Sequence, residues 1–152
     1  MMALTTFVSQ NRGAKEYERA KKGAHFGLVC SVSLAETIGV LIALFAAPLM
    51  RLFVDDPQVI QYGVERAHYA TILFFMLAYS HGVSAVLRGV GKSVVPMVVM
   101  LVCWCLVRVT LLTMLNMLFH NILFAYLIYP FTWSLSSITF FIYYHRVDWL
   151  HA

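Results

Sequence analysis

Two full charges lie deep inside otherwise apolar stretches, Glu36 and Arg108. A charge at such depth in a bilayer costs about 2.5–3.5 kcal/mol on insertion scales, so each needs a partner or a purpose. A desolvated carboxylate holds its charge poorly and can trade it for a proton or share it with a cation. Ser33 precedes Glu36 by three residues and Gly39 follows by three, which on a helix puts a hydroxyl and a gap on the same face. That combination suits a coupled transport path. The bland alternative is an interhelical pair between Glu36 and Arg108, or an arginine satisfied by backbone carbonyls. Trp104 stands one turn before Arg108 and offers a ring for the guanidinium.

Further polar residues gather at Tyr79, Ser80, His81, Ser84 and Arg88, with Ser80, Ser84 and Arg88 four residues apart. Tyr79 and His81 join Ser33, Glu36 and Arg108 as candidates for a cation or substrate pathway. His81 is a possible proton group, and a packing histidine among serines is the plainer reading. Thr132, Ser134, Ser136, Ser137 and Thr139 flank Pro130 and suit interhelical hydrogen-bonding glue around a kink there. The aromatics of the apolar stretches face lipid or an interface, or line a pocket for cations. His25, His68, His120, His145 and His151 show no metal-ligand spacing, and Cys30, Cys103 and Cys105 are small packing residues in apolar runs. No nucleophile, phosphate-loop or metal motif occurs in a fitting context. The expectation is no enzyme, no metal site and no cofactor other than a coupling ion.

Positioning these groups falls to long apolar elements. Apolar residues make up 61% of the 152 and charged residues 12%, against about 25% charged in soluble domains. Mean hydropathy is +0.78. A chain this short cannot hide so much apolar surface from water. That excludes an ordinary soluble enzyme, a disordered tail and a nucleic-acid module. The fold class expected is an all-α membrane bundle. Crossing a bilayer takes about 20 residues, and four stretches suffice: 24–47, 62–87, 94–118 and 121–144. Asp56 before Pro57 is a helix start, Ser93 caps the third stretch with Pro96 in its first turn, and His120-Asn121 makes a short turn. Residues 1–23 form a basic loop after the end of a truncated upstream helix, 24–146 the four-span region, and 147–152 a tail. Gly13, Gly89 and Gly91 fall at helix ends, where φ > 0 is often required. On one side lie Arg12, Lys15, Arg19, Lys21, Lys22, Arg88, Lys92 and Arg146; on the other, Arg51 and Arg66. The positive-inside rule puts the first set, and both termini, in the cytoplasm.

Three loops are familiar. Gln10-Asn11-Arg12-Gly13-Ala14-Lys15 resembles the Q-N-x-G-A loop of the multidrug and toxic compound extrusion (MATE) transporters, between the second and third helices of each six-helix lobe. Leu52-Phe53-Val54-Asp55-Asp56-Pro57 is similar to that family's external L-F-x-x-D loop. Leu87-Arg88-Gly89-Val90-Gly91-Lys92, on to Pro96, resembles its L-R-G-x-G-x-x-x-x-P loop, and Arg108 stands where the family often has an arginine.

The resemblance implies twelve helices in two lobes and export of drugs or other organic cations in exchange for Na⁺ or H⁺ across the plasma membrane. The four stretches would be the ninth to twelfth helices, and the missing N-terminal lobe a partner. Two departures stand out. No acid occurs in 67–87, where some branches carry one, and Thr110 replaces a proline that often follows the arginine. The coupling acid is then either upstream or Glu36. The rival expectations are a self-sufficient four-span dimeric efflux protein of the small multidrug resistance type and a non-transporting membrane scaffold.

Overall fold

A computed structural model describes residues 1–119 and 122–147. The elements are α1 (Met2–Gly13), α2 (Tyr17–Leu44), α3 (Ala46–Arg51), α4 (Pro57–Thr71), α5 (Phe74–Gly89), α6 (Val94–Met100), a π-helical stretch (Leu101–Val107), α7 (Arg108–Phe119) and α8 (Ile122–Arg146). The described residues contain helices and connecting turns, and no strand. The expected turn at His120-Asn121 and the tail beyond residue 147 lie outside them.

Among the described residues, two helices are long and apolar enough to cross a membrane, Tyr17–Leu44 and Val94–Leu118, and the bent pair Pro57–Thr71 with Phe74–Gly89 makes a third if it is one span. The expected second span at 62–87 falls on this bent pair, whose geometry is that of a broken span or a re-entrant loop. It starts earlier, at Pro57, where the Asp56 carboxylate accepts the Gln58 backbone N–H at 2.8 Å. It then bends by 57° at Ile72 and Leu73. No proline or glycine marks this break. Instead the Thr71 hydroxyl, buried, lies within hydrogen-bond reach of the Ala67 carbonyl (2.8 Å) and of the Gly39 carbonyl on α2 (3.2 Å). A threonine hydroxyl competing with the backbone is a known cause of helix bending. The first expected stretch also starts earlier, at Tyr17, and stops at Phe45 before the short α3.

Residues 2–13 form a helix, which runs on into the stretch expected as a basic loop. The core forms where α1, α2, α5 and α8 meet: Val8 from α1; Ala20, Ala24 and Leu28 from α2; Val83, Val86 and Leu87 from α5, with Val90 just beyond it; and Phe140 from α8. α5 is the hub, in contact with α1, α2, α6 and α8. Its buried positions include Ala78, Ser80, Gly82, Ser84, Ala85 and Gly89. Small residues let helix backbones approach closely, the main source of cohesion where lipid removes the hydrophobic drive. Large apolar side chains point outward instead: Phe26 is 70% exposed, Leu44 72% and Met117 73%. That inside-out pattern fits a lipid surround.

The glycine expectations divide. α5 ends in a Schellman motif: the Gly91 N–H bonds Arg88 O (3.0 Å), the Lys92 N–H bonds Leu87 O (2.9 Å), and Gly91 has φ +81°. Gly91 thus does what was expected. α1 ends in the same motif, but its left-handed residue is Lys15, with φ 61°. Lys15 N–H bonds Arg12 O (3.0 Å) and Glu16 N–H bonds Asn11 O (2.8 Å). Gly13 sits two residues too early to take that role, because α1 runs through it to a cap at Ala14. Lys15→Gly should therefore raise unfolding stability by about 0.5–1 kcal/mol, and Gly91→Ala should lower it by about 1–2 kcal/mol. Denaturant titration in detergent checks both signs.

Candidate functional site

Glu36 lies on α2 one turn before Gly39, whose carbonyl is the one reached by Thr71 at the break of α4 and α5. Gly39 is also where the Phe74 ring packs: a Cβ there would meet the ring at 2.6 Å. The carboxylate is partly buried, and its Oε2 is shut from solvent with no hydrogen-bond partner. Among the described residues, no ion pair or hydrogen bond joins Glu36 to Arg108, Tyr79 or His81. The Ser33 side chain, expected beside it, is exposed.

Arg108 begins α7, directly after the π-helical stretch. Its Nε and Nη2 donate to Thr132 Oγ1 on α8 at 3.2 and 2.7 Å. The guanidinium carbon lies 4.7 Å from the Tyr129 ring centre and 5.3 Å from that of Trp104. Arg66 of α4 also reaches Tyr129, at 5.1 Å. The Tyr129 and Trp104 rings thus already face two of the chain's own cations. Tyr129 in turn meets Trp133 edge-on, and Trp133 stacks on Phe74 at the break. Arg108 joins α7 and the π-helical stretch to α8, and among the described residues Glu36 Oε2 is left without a partner.

The serines converge on α5. Ser80 Oγ lies 3.0 Å from Ser136 Oγ and 2.8 Å from Ser137 Oγ, while Trp104 Nε1 donates to Ser136 Oγ at 3.3 Å. His81 packs against the Trp104 indole, edge to face at 5.1 Å. This network joins α5, α8 and the π-helical stretch. Tyr79 stands apart, on an apolar cleft with Val32, Phe75, Met76 and Phe141. The five pathway candidates are thus not one site.

The two motif-bearing loops do come together. Arg12 donates to the Val90 carbonyl, and Thr5 Oγ1 donates to the Ala85 carbonyl at 3.0 Å. Gly89 lets α1 pass against α5, since a Cβ there would stand 2.8 Å from the Thr5 carbonyl oxygen. Asn11 donates its amide to Phe7 O at 2.7 Å, while Leu87 and Pro96 are buried. Gln10 and Ala14 take part through the backbone, the Ala14 N–H bonding Gln10 O at 3.0 Å. The docking of these loops was invisible in the sequence, where 78 residues separate Arg12 from Val90.

A family model described as MatE matches residues 1–115, which include both docked loops and Glu36. The chain belongs to the MATE family. A probable multidrug resistance protein NorM from Thermotoga maritima is 31% identical over 98 residues, covering 64% of this chain and 21% of that protein. The chain therefore spans about a fifth of that relative's length. MATE membership and the outward apolar surface together make it an integral membrane protein of a transporter family. Two residues of the motif loops, Gly89 and Arg12, join α1 to α5.

Proposed function

We propose that this chain supplies the last four spans of a MATE-type antiporter that exports organic cations or amphipathic drugs in exchange for Na⁺ or H⁺. The observation behind the reading is Glu36: an unpaired, half-buried carboxylate on an apolar helix, one turn from a broken span. A charge left without a partner at that depth is more readily explained by an ion or substrate that visits it than by packing. The break beside it supplies what a moving site needs, because discontinuous helices commonly carry transporter binding sites. In this reading 121–144 is the fourth span, the missing N-terminal lobe completes the path, and the chain lies in the plasma membrane with both ends cytoplasmic.

Dye export from vesicles tests it. The chain joined to an N-terminal MATE lobe should export ethidium when a Na⁺ or proton gradient is imposed; the chain alone should not. Export by the chain alone would favour the self-sufficient dimer, and no export by the joined protein would favour the scaffold. Orientation is checked by cysteine labelling on a background without Cys30, Cys103 and Cys105. A cysteine at position 56 should label from outside and one at position 15 from the cytoplasm; the reverse pattern would overturn the topology.

A further inference from the structure

A cavity of about 350 Å³ opens where α5 passes to α6, between Ser84 and Arg88 on one wall and Met97 and Met100 on the other. It lies outside the Glu36 region and no part of the transport reading uses it. Ser84 lines it, is fully buried, and its Oγ has no hydrogen-bond partner. A buried hydroxyl without a partner is a standing penalty that an incoming acceptor removes. Arg88 follows one turn later on α5, exposed, and no carboxylate pairs with it among the described residues. Ser93, at the start of α6, adds a third donor group. No acid lines the cavity.

The opposite wall is apolar and continues onto the outer surface. Val94 is 64% exposed, Met97 61% and Leu101 54%. At spacings of three and four residues they form a strip down one face, starting at the mouth of the cavity. The ligand this suits has an anionic acceptor group at one end and an apolar chain at the other. We propose that the cavity binds the phosphodiester of an anionic phospholipid, with Arg88, Ser84 and Ser93 on the phosphate and an acyl chain along Val94, Met97 and Leu101. Free phosphate would leave the apolar strip unused. A zwitterionic lipid would find no carboxylate for its ammonium group. The inference rests on the membrane setting and not on antiport.

Photo-cross-linking tests it. The full chain, with benzoylphenylalanine in place of Met97, is placed in phosphatidylcholine vesicles containing a minor share of phosphatidylglycerol, and lipid adducts are weighed by mass spectrometry. Phosphatidylglycerol adducts should exceed that lipid's share of the bilayer about fivefold, the effect of one basic residue near a membrane surface. Arg88→Gln should return adducts to the bulk ratio, Ser84→Ala should reduce the enrichment, and Arg88→Lys should keep most of it. Circular dichroism confirms that each variant is folded, and Arg88→Lys separates lost charge from lost fold. Adducts that match the bulk ratio in the unaltered background overturn the proposal, as does enrichment that survives Arg88→Gln. Loss of the enrichment on adding inorganic phosphate also overturns it, and assigns the cavity to free phosphate.

Discussion

Gly89→Ala should weaken the protein by about 1–3 kcal/mol, whereas Gly13→Ala should leave it unchanged or tighten it by up to about 1 kcal/mol. The two glycines belong to the two docked loops, so motif membership alone would forecast the same result. Space separates them. A Cβ on Gly13 meets nothing within 4 Å. A Cβ on Gly89 stands 2.8 Å from the Thr5 carbonyl oxygen and 3.0 Å from Val8 Cβ. The first of these is backbone, so no rotamer change relieves it and α1 must retreat. Retreat stretches the Thr5–Ala85 hydrogen bond, worth about 1 kcal/mol, and opens the core around Val8. Gly89→Val should cost more again. Denaturant unfolding in detergent reads the order; equal costs at positions 13 and 89 would refute the close-approach account.

Glu36→Gln should abolish gradient-driven export in the joined transporter while leaving it folded. Coupled sites typically change each other's affinity about 5–150-fold, and that dependence of dye binding on pH or Na⁺ should vanish with the carboxylate. Stability should shift by no more than about 0.5 kcal/mol, because Glu36 has no ion pair to lose and Arg108 keeps Thr132, Tyr129 and Trp104. Had the two charges paired, Glu36→Gln would have stranded the arginine, and Arg108→Gln would rescue it. The geometry forecasts the opposite: Arg108→Gln is destabilising alone, and the double mutant shows the sum of the single effects. Rescue of stability and export by the second change would remove Glu36 from coupling.

Composition and apolar run length foretell the helices, and Asp56 and Pro57 show where α4 begins. Local chemistry also points to Gly91, because a glycine just past a helix end is a common left-handed cap. The break at Ile72 and Leu73 was hidden because its cause is partly tertiary: the Thr71 hydroxyl reaches a carbonyl on another helix. The π-helical stretch gave no cue either, since Leu101–Val107 reads as an unbroken apolar run. Lys15 in the left-handed region was missed because Gly13 looked the better candidate. Of the candidate site, Glu36 and Arg108 stood out by charge in apolar surroundings. Their separation did not, because which rings and hydroxyls surround an arginine is decided by helices far apart in the chain.

The docking of α1 on α5 also has a consequence for synthesis. Thr5 meets its carbonyl acceptor on a residue 80 positions later, so at about 5–20 residues per second the ribosome needs roughly 4–16 s to deliver it. Through that interval α1 has α2 to pack on but not α5, the other wall of its seat. The docking of α1 is therefore completed only when the hub helix arrives.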